Sequence, residues 1–579
     1  DEIPIDNDNV PLLSFTDSPV NGSEILEAIS ELLTKKSEDF NGVSMFFIKQ
    51  FKHYLFNPLQ HIINRSLVTG FVPHQFKIAK VIPLFKSGDK SSPDNYRPIS
   101  LLSCFSKILE KVVGRRLVSF LELNNIITPS QFGFRKNHST LHPMVHLMNF
   151  VSDALNKKES AIAIFCDLRK AFDTVNHSIL LRKLHKIGIR GVALEWFKNY
   201  LSGRKQFVFL NGKCSTLLEI LLGVPQGSIL GPILFLLYIN DLPEASLLKD
   251  FLFADDTALL AKGKNVEELT TFVNTEFQKI VHYFRLNKLS LHPDKTKFLI
   301  FSNSHLVREN PPQIFANYHN LSGVQKPELI IPIENANANS IVPAIRYLGV
   351  YFDPQLNFKY HISTITNKLS KMLYFFRQAK HVLTPKAKTS LYYASIHSHL
   401  IYGIHIWSCT AESNLKQLIL KQKMAIRTLC NSAYNAHTEP LFKKCAILPF
   451  LDLCEYFKVQ FMQKFTQGFL PASFNEVWVT NAIRRADQDH VELRNDDDIN
   501  IPFARLTSTE RQPLTSFPRI WSQFPDEQIK FTRNVPEFNK LLKQHYLRKL
   551  SSIPRCTRLF CPQCMPPLNA LYDDSNDSN

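Results

Sequence analysis

The stretch FLFADDTALLA, residues 251–261, sets two adjacent carboxylates, Asp255 and Asp256, inside an otherwise apolar run. Phe251, Leu252 and Phe253 before the pair, and Ala258, Leu259 and Leu260 after it, read as two short buried strands. The aspartates are therefore expected at the turn between them. Ionised groups beside an apolar interior are costly unless a cation or hydrogen-bond donors accompany them. Taken alone, the pair is accounted for by turn chemistry; only the rest of the chain calls for a cation.

A third aspartate ends another apolar strand, in AIAIFCDLRKAFD, as Asp167. If the two strands are sheet neighbours, three carboxylates converge at one edge and repel one another unless divalent ions neutralise them. Ligation by oxygen alone suits Mg²⁺, which keeps part of its shell for water and phosphate. Two such ions, about 3.5–4 Å apart, clamp the attacking and leaving oxygens of an in-line phosphoryl transfer. Between the two sites lies GVPQGSILGPILFLLYIND, residues 223–241. Its glycines Gly223, Gly227 and Gly231 are expected to let the backbone approach a ligand closely, with an apolar helix behind.

The net charge of +17 favours a polyanionic partner. No apolar run reaches the ~18 residues of a membrane span, and the first residues lack the basic start and apolar core of a secretory signal. The missing initiator Met suggests a fragment of a longer product. Cys104, Cys166, Cys214, Cys409, Cys430, Cys445 and Cys454 show no framework spacing, so a reducing intracellular location is the simpler reading.

The pattern is helical to about residue 75, with Asn21 or Ser23 able to cap the first helix. KIAKVIPLFKSGDKSSPDNYRPISLLS then reads as strand, polar loop and strand, followed by a helix over 104–123. Residues 160–300 alternate strand and helix: AIAIFCD as a buried strand, AFDTVNHSILLRKLHKIG as a helix stopped by Gly188, and NVEELTTFVNTEFQKIVHYFRLN as another. TKFLIFS and IRYLGVYFD supply later strands. This mixture predicts an α+β fold, a sheet with helices on one face. Beyond 356 the chain turns helical and basic, and 484–512 has the composition of a linker.

The order of these segments resembles the reverse transcriptases of non-LTR retrotransposons, the LINE elements, most closely their jockey-like branch. FCDLRKAFDTVNH, GVPQGSILGPILF, FADDTALL, LNKLSLHPDKTKFLIF and YLGVYFD stand in that family's order, preceded by AKVIPLFKSGDKSSPDNYRPISLLS and QFGFRKNHST. The resemblance covers about 22–465, with a weaker echo in SFPRIWSQFPDE and FNKLLKQHYL. It implies a right-hand polymerase of fingers, palm with an antiparallel sheet, and helical thumb, with a mostly helical C-terminal extension. The corresponding segments are an N-terminal helical extension at 1–75, fingers at 76–159 and palm at 160–356 with fingers insertions. Thumb and helical extension follow at 357–483, a linker at 484–515 and a basic C-terminal region at 516–579.

Carried over residue by residue, the resemblance makes Asp167 and Asp255 ligands of two Mg²⁺ ions, with Mn²⁺ able to substitute. Asp256 becomes the third catalytic carboxylate, and the main-chain carbonyl of Leu168 holds the nucleotide-bearing ion. Phe172 becomes a gate against the ribose 2′-hydroxyl, favouring deoxynucleotides together with Ala254. Lys86 and Arg97 grip the triphosphate, through a point charge and a planar fork. Gln226 contacts nucleotide and template, and Lys295 protonates the departing pyrophosphate. Asp173 is left to local pairing. By residue type alone, Lys86 and Lys295 fit solvated lysines and Phe172 fits a core aromatic.

Lys359, Lys368, Lys371, Arg377 and Lys380 lie on a helical pattern whose other face holds Leu369, Leu373 and Phe376. Such a basic helix tracks phosphates without reading sequence. Farther on, Cys556, Cys561 and Cys564, with His545 upstream, offer a zinc knuckle whose spacing departs from the family's arrangement. The expected function is RNA-directed DNA polymerisation, with RNA template, DNA primer or target and dNTPs as partners, no membrane, and nucleus and cytoplasm as locations. The primer would be a nicked chromosomal end, cut by an endonuclease normally encoded upstream. The competing class is an inactive or domesticated remnant that binds RNA; intact Asp167, Asp255, Asp256 and Phe172 speak against decay.

Overall fold

The computed structural model describes residues 12–13, 18–292, 295–304, 312–319, 325–330, 344–480 and 499–550. A four-stranded antiparallel sheet runs through the middle of the chain in the order β7 (Lys249–Phe253), β8 (Asp256–Gly263), β3 (Ser160–Cys166), β9 (Lys297–Phe301). Every residue of β3 is buried, as expected for a continuous apolar run covered on both sides.

Alternate residues of β3 enter two different cores. Ile162, Ile164 and Cys166 join one, together with Val273, Phe277 and Ile280 of the helix Val266–Leu286. Ala161, Ala163 and Phe165 join the other, with Met144, Val145 and Met148 of the helix Leu141–Asn156. The sheet therefore carries helices on both faces, which corrects the expectation of one. The second helix carries His142, His146, Asn149 and Asp153 at helical spacing, and even its polar His142, His146, Asn149 and Ser152 are buried.

A second sheet holds β1 (Ile78–Phe85) between its hairpin partner β2 (Tyr96–Leu102) and β4 (Arg204–Leu210), with β4 also pairing β5 (Lys213–Cys214) and β6 (Leu218–Ile220). The β1–β4 pair is parallel. The helix Cys104–Leu123 follows β2 with the bounds read from sequence, and Asn21 caps the helix Gly22–Glu31 by accepting from Glu24 N at 2.9 Å. The expected helix from Ala171 is shorter. A 3₁₀ turn covers Ala171–Asp173, and the α-helix begins at His177, where the Asn176 side chain accepts from Ile179 N. Gly188, at φ 98°, follows its end.

From 359 onward the described chain is helical. The helix Lys359–Ala379 buries Ile362, Ile365, Leu369, Leu373 and Phe376 against the core it shares with Leu415, Leu418 and Ile426 of the helix Glu412–Leu429. Its other face exposes Lys368, Lys371, Tyr374 and Phe375. Residues 499–512, expected as linker, are anchored: Thr509 is buried, and Arg505 donates to the carbonyls of Leu155 and Asn156. The helix Val535–Lys549 joins the same core through Phe538, Leu542 and Tyr546. Among the described residues no helix is long and apolar enough to cross a membrane.

Candidate active site

Asp255 sits in the turn between β7 and β8, and Asp256 is the first residue of β8, paired with Phe253. Ala254 takes a left-handed φ of 55°, a conformation that costs a residue with a Cβ about 1–2 kcal/mol. The turn is braced from outside. Gln131 Oε1 accepts from Ala254 N at 3.0 Å and from Gly133 N at 2.8 Å. A Cβ at Gly133 would lie 2.4 Å from Ala254 N, so only glycine fits. The segment QFGF thus exists in this form to hold the aspartate turn.

Asp167 arrives through sheet register. The ladder pairs Cys166 with Thr257, so the next positions beyond it are Asp167 and Asp256. Burial raises the Asp255 carboxyl above its ordinary value, the Asp167 charge adds to the rise, and Arg97 and Lys86 oppose it. Burial, then Asp255 and Asp167, push Asp256 up to about 6. The three carboxylates share one edge and feel one another's charge. Among the described residues, no group of three or more His, Cys, Asp or Glu side chains is placed to hold a metal ion.

Lys86 and Arg97 come from the β1–β2 hairpin, where Leu84 pairs with Arg97 and Lys86 N donates to Asn95 O at 2.9 Å. Both side chains are exposed, and both act on the charge of Asp255. Lys295 reaches the site along the backbone. His292 N donates to Asp167 O at 2.7 Å, Asp167 N donates to Thr296 Oγ1 at 3.3 Å, and Leu168 bridges Leu291. The exposed Lys295 is thus carried by a loop laced to Asp167.

Phe172 stacks on Phe235 at 4.4 Å and meets the edge of Phe134 at 6.3 Å. Its carbonyl accepts from Val224 N at 2.8 Å. Gln226 turns its Nε2 onto Asp173, donating to both carboxylate oxygens at 2.8 and 2.9 Å. Two glycines of this loop are required by close contacts within the chain. A Cβ on Gly223 would meet the Asp173 backbone at 2.7 Å, and one on Gly227 would meet Ser100 O at 2.6 Å. Ser100 N in turn donates to Gln226 O at 2.8 Å, which ties the loop to β2.

Behind the loop is a support that the sequence conceals. Glu110 is fully buried, and its Oε2 accepts from Ile229 N at 2.7 Å, at the start of the helix Leu230–Tyr238. Its Oε1 accepts from Tyr200 OH at 3.0 Å. Arg204, also buried, lies 4.8 Å over the Tyr200 ring and donates to Tyr200 O. Glu110 stands in an amphipathic helix rich in charge, where nothing local separates it from a solvated residue.

His545 packs against Phe524, with Nδ1 3.9 Å from Asp526 Oδ2. Cys556, Cys561 and Cys564 lie outside the described residues.

An antiparallel sheet edge bearing three aspartates, faced by two cations from a hairpin, defines a nucleotidyl-transfer type of site. Residues 86–352 match the family model of the reverse transcriptase, an RNA-dependent DNA polymerase. The chain is 30% identical over 446 residues to the probable RNA-directed DNA polymerase from transposon BS of Drosophila melanogaster, covering 74% of this chain and 47% of that protein. It is 26% identical over 465 residues to the RNA-directed DNA polymerase from mobile element jockey of the same species, covering 78% and 48%. A Pol polyprotein from the type-1 retrotransposable element R2 of Popillia japonica is 26% identical over 369 residues, covering 61% and 48%. The chain belongs to the reverse transcriptases of non-LTR retrotransposons. It spans about half the length of the curated relatives it matches.

Proposed function

We propose that the chain is an RNA-directed DNA polymerase that extends a primer 3′-hydroxyl with dNTPs on an RNA template, in target-primed reverse transcription. The observation that carries this reading is the meeting of Asp167 with Asp255 and Asp256 at a sheet edge whose charge Arg97 and Lys86 partly balance. In this reading 76–159 are fingers, 160–356 palm and 357–483 thumb, with the basic face of Lys359–Ala379 along the template–primer duplex. The 1–75 and 516–579 segments keep the roles expected of them, and the protein works in cytoplasm and nucleus.

By its chemistry the donor set suits Mg²⁺: three oxygen-bearing side chains, held in a partly buried cluster that repels itself without a cation. Bound Mg²⁺ would supply Lewis-acid stabilisation of the negative charge that develops on the transferred phosphate. Asp167, Asp255 and the Leu168 carbonyl hold the ions, and Asp256 completes the negative edge. Lys86 and Arg97 draw the triphosphate toward that edge and offset its charge. Lys295 delivers a proton to the departing pyrophosphate. Primer extension on oligo(dT)-primed poly(rA), with dTTP and Mg²⁺, tests the reading; no extension beyond a protein-free control would reject it. In the tail, His545 with Cys556, Cys561 and Cys564 makes a zinc knuckle, which metal analysis of the purified chain tests.

The ring of Phe172 blocks a 2′-hydroxyl. Overlap of this kind costs about 1–3 kcal/mol, so Phe172→Ala should raise the rNTP-to-dNTP ratio of kcat/KM roughly 10–100-fold. An unchanged ratio removes the gate.

Asp173 sets the orientation of Gln226. An ionised carboxylate only accepts, so Nε2 must face it and Oε1 is turned away, toward the nucleotide. Asp173→Asn frees the amide to flip, and KM for dNTP should rise roughly tenfold. In a Gln226→Ala background the same change should do nothing further, because the pair acts as one unit. Additive effects in that cycle would reduce Asp173 to a structural residue.

A further inference from the structure

We propose that Cys430 and Cys445 are a redox-active dithiol that closes to a disulfide by exchange with a small-molecule disulfide. Their sulfurs stand 3.1 Å apart, about 1 Å more than a disulfide bond of about 2.05 Å. Cys430 caps the C-terminal end of the helix Glu412–Leu429, and Cys445 is the last residue of the helix Glu439–Cys445. Both are partly exposed, so a small reagent reaches them. The other described cysteines lack this setting: Cys104, Cys166, Cys409 and Cys454 are buried, and Cys214 is exposed. Cys409 and Cys454 lie near enough for their charges to interact, but both are buried.

The two sulfurs share one hydrogen bond in which either thiol can donate, and Lys444 favours the thiolate of both. The thiol that ionises is the nucleophile, since the thiolate is the attacking species. It attacks one sulfur of oxidised glutathione and releases one glutathione thiolate, leaving a mixed disulfide. The other cysteine then loses its proton to solvent and attacks the protein sulfur of that mixed disulfide, releasing the second glutathione. Two protein thiols are oxidised and one disulfide is reduced to two thiols.

Closure would tie the ends of the two helices around the turn 431–444, which carries the exposed Tyr434 and is pinned by Arg427 Nε donating to Ala436 O at 2.7 Å. Native geometry already holds the sulfurs in contact, so the bond mainly restricts the unfolded chain and the oxidised form should melt higher. This inference does not depend on polymerase activity.

The full chain, reduced and then equilibrated in buffers of reduced and oxidised glutathione, is alkylated and mapped without reduction. The expected product is a linked pair of tryptic peptides, 428–443 and 445–458, with fragmentation placing the bond at Cys445 and not Cys454. Cys430→Ser should stop at one glutathione on Cys445, and Cys445→Ser at one glutathione on Cys430. Alkylation of both thiols across the whole range overturns the proposal. So does glutathione on both thiols without closure, or a bond at Cys454. A Cys430→Ser/Cys445→Ser variant melting as the reduced wild type does, but insensitive to oxidised glutathione, would assign the melting shift to this pair; one that still shifts would overturn that assignment.

Discussion

Asp255→Asn is expected to lower primer extension at least ~10³-fold, with template–primer affinity nearly unchanged. The substitution keeps the size of the side chain and removes one full charge from the point where Asp167 and Asp256 converge. Lewis-acid stabilisation by a bound ion is worth several kcal/mol, and each 1.36 kcal/mol is about tenfold in rate. The turn itself should survive, because Gln131 holds it through the main chain at Ala254. Binding depends on phosphate contacts elsewhere and should persist, and its strong salt dependence with it. Equal extension by wild type and variant would sink the catalytic role and favour a protein that only binds RNA.

Glu110→Ala should be the most destabilising single change near the site, by about 3–5 kcal/mol in the cooperative unit that contains it. The side chain is fully buried, and Ile229 N, Tyr200 OH and the Ser106 hydroxyl donate to it. Arg204 is buried beside it, and Arg204 Nε and Nη2 have no hydrogen-bond partner among the described residues. Burial raises the Glu110 carboxyl, and the Arg204 charge opposes that rise. Taking the carboxylate away leaves a buried guanidinium without its counter-charge. Glu110→Gln retains an acceptor and should cost less. Urea melts of the two variants read the difference, and an alanine variant as stable as wild type would show that the charge is not needed. The 223–229 loop hangs on this residue through Ile229, so KM for dNTP should rise in the glutamine variant before stability fails.

Much of the site could be read from the chain because its chemistry is written in short, contiguous stretches. A buried strand running into Asp167, and a pair of strands turning at Asp255–Asp256, follow from apolar runs broken by charge. The cap at Asn21 and the bounds of Cys104–Leu123 follow from local hydrogen bonding and period. The helix Leu141–Asn156 carries a polar stripe at helical period, and only the fold shows that His142, His146 and Asn149 of that stripe are buried with the rest. The glycines of 223–231 were legible as necessary, but their contacts within the chain were not. What they approach, the backbones of Asp173 and Ser100, is far away in the chain.

Local order, then, belongs to the sequence alone: backbone sterics and side-chain period decide where a strand ends, which residues can turn, and which face is apolar. Partnership belongs to the tertiary structure. Asp167 meets Asp256 because β3 pairs β8 in one register, and a slip by one residue would turn every side chain of the strand to the opposite face. Gln226 with Asp173, Glu110 with Ile229, and Cys430 with Cys445 are likewise pairs whose members look ordinary singly. Their meaning arises only when packing brings the two together and takes water away, so that each polar group must find its partner in the fold.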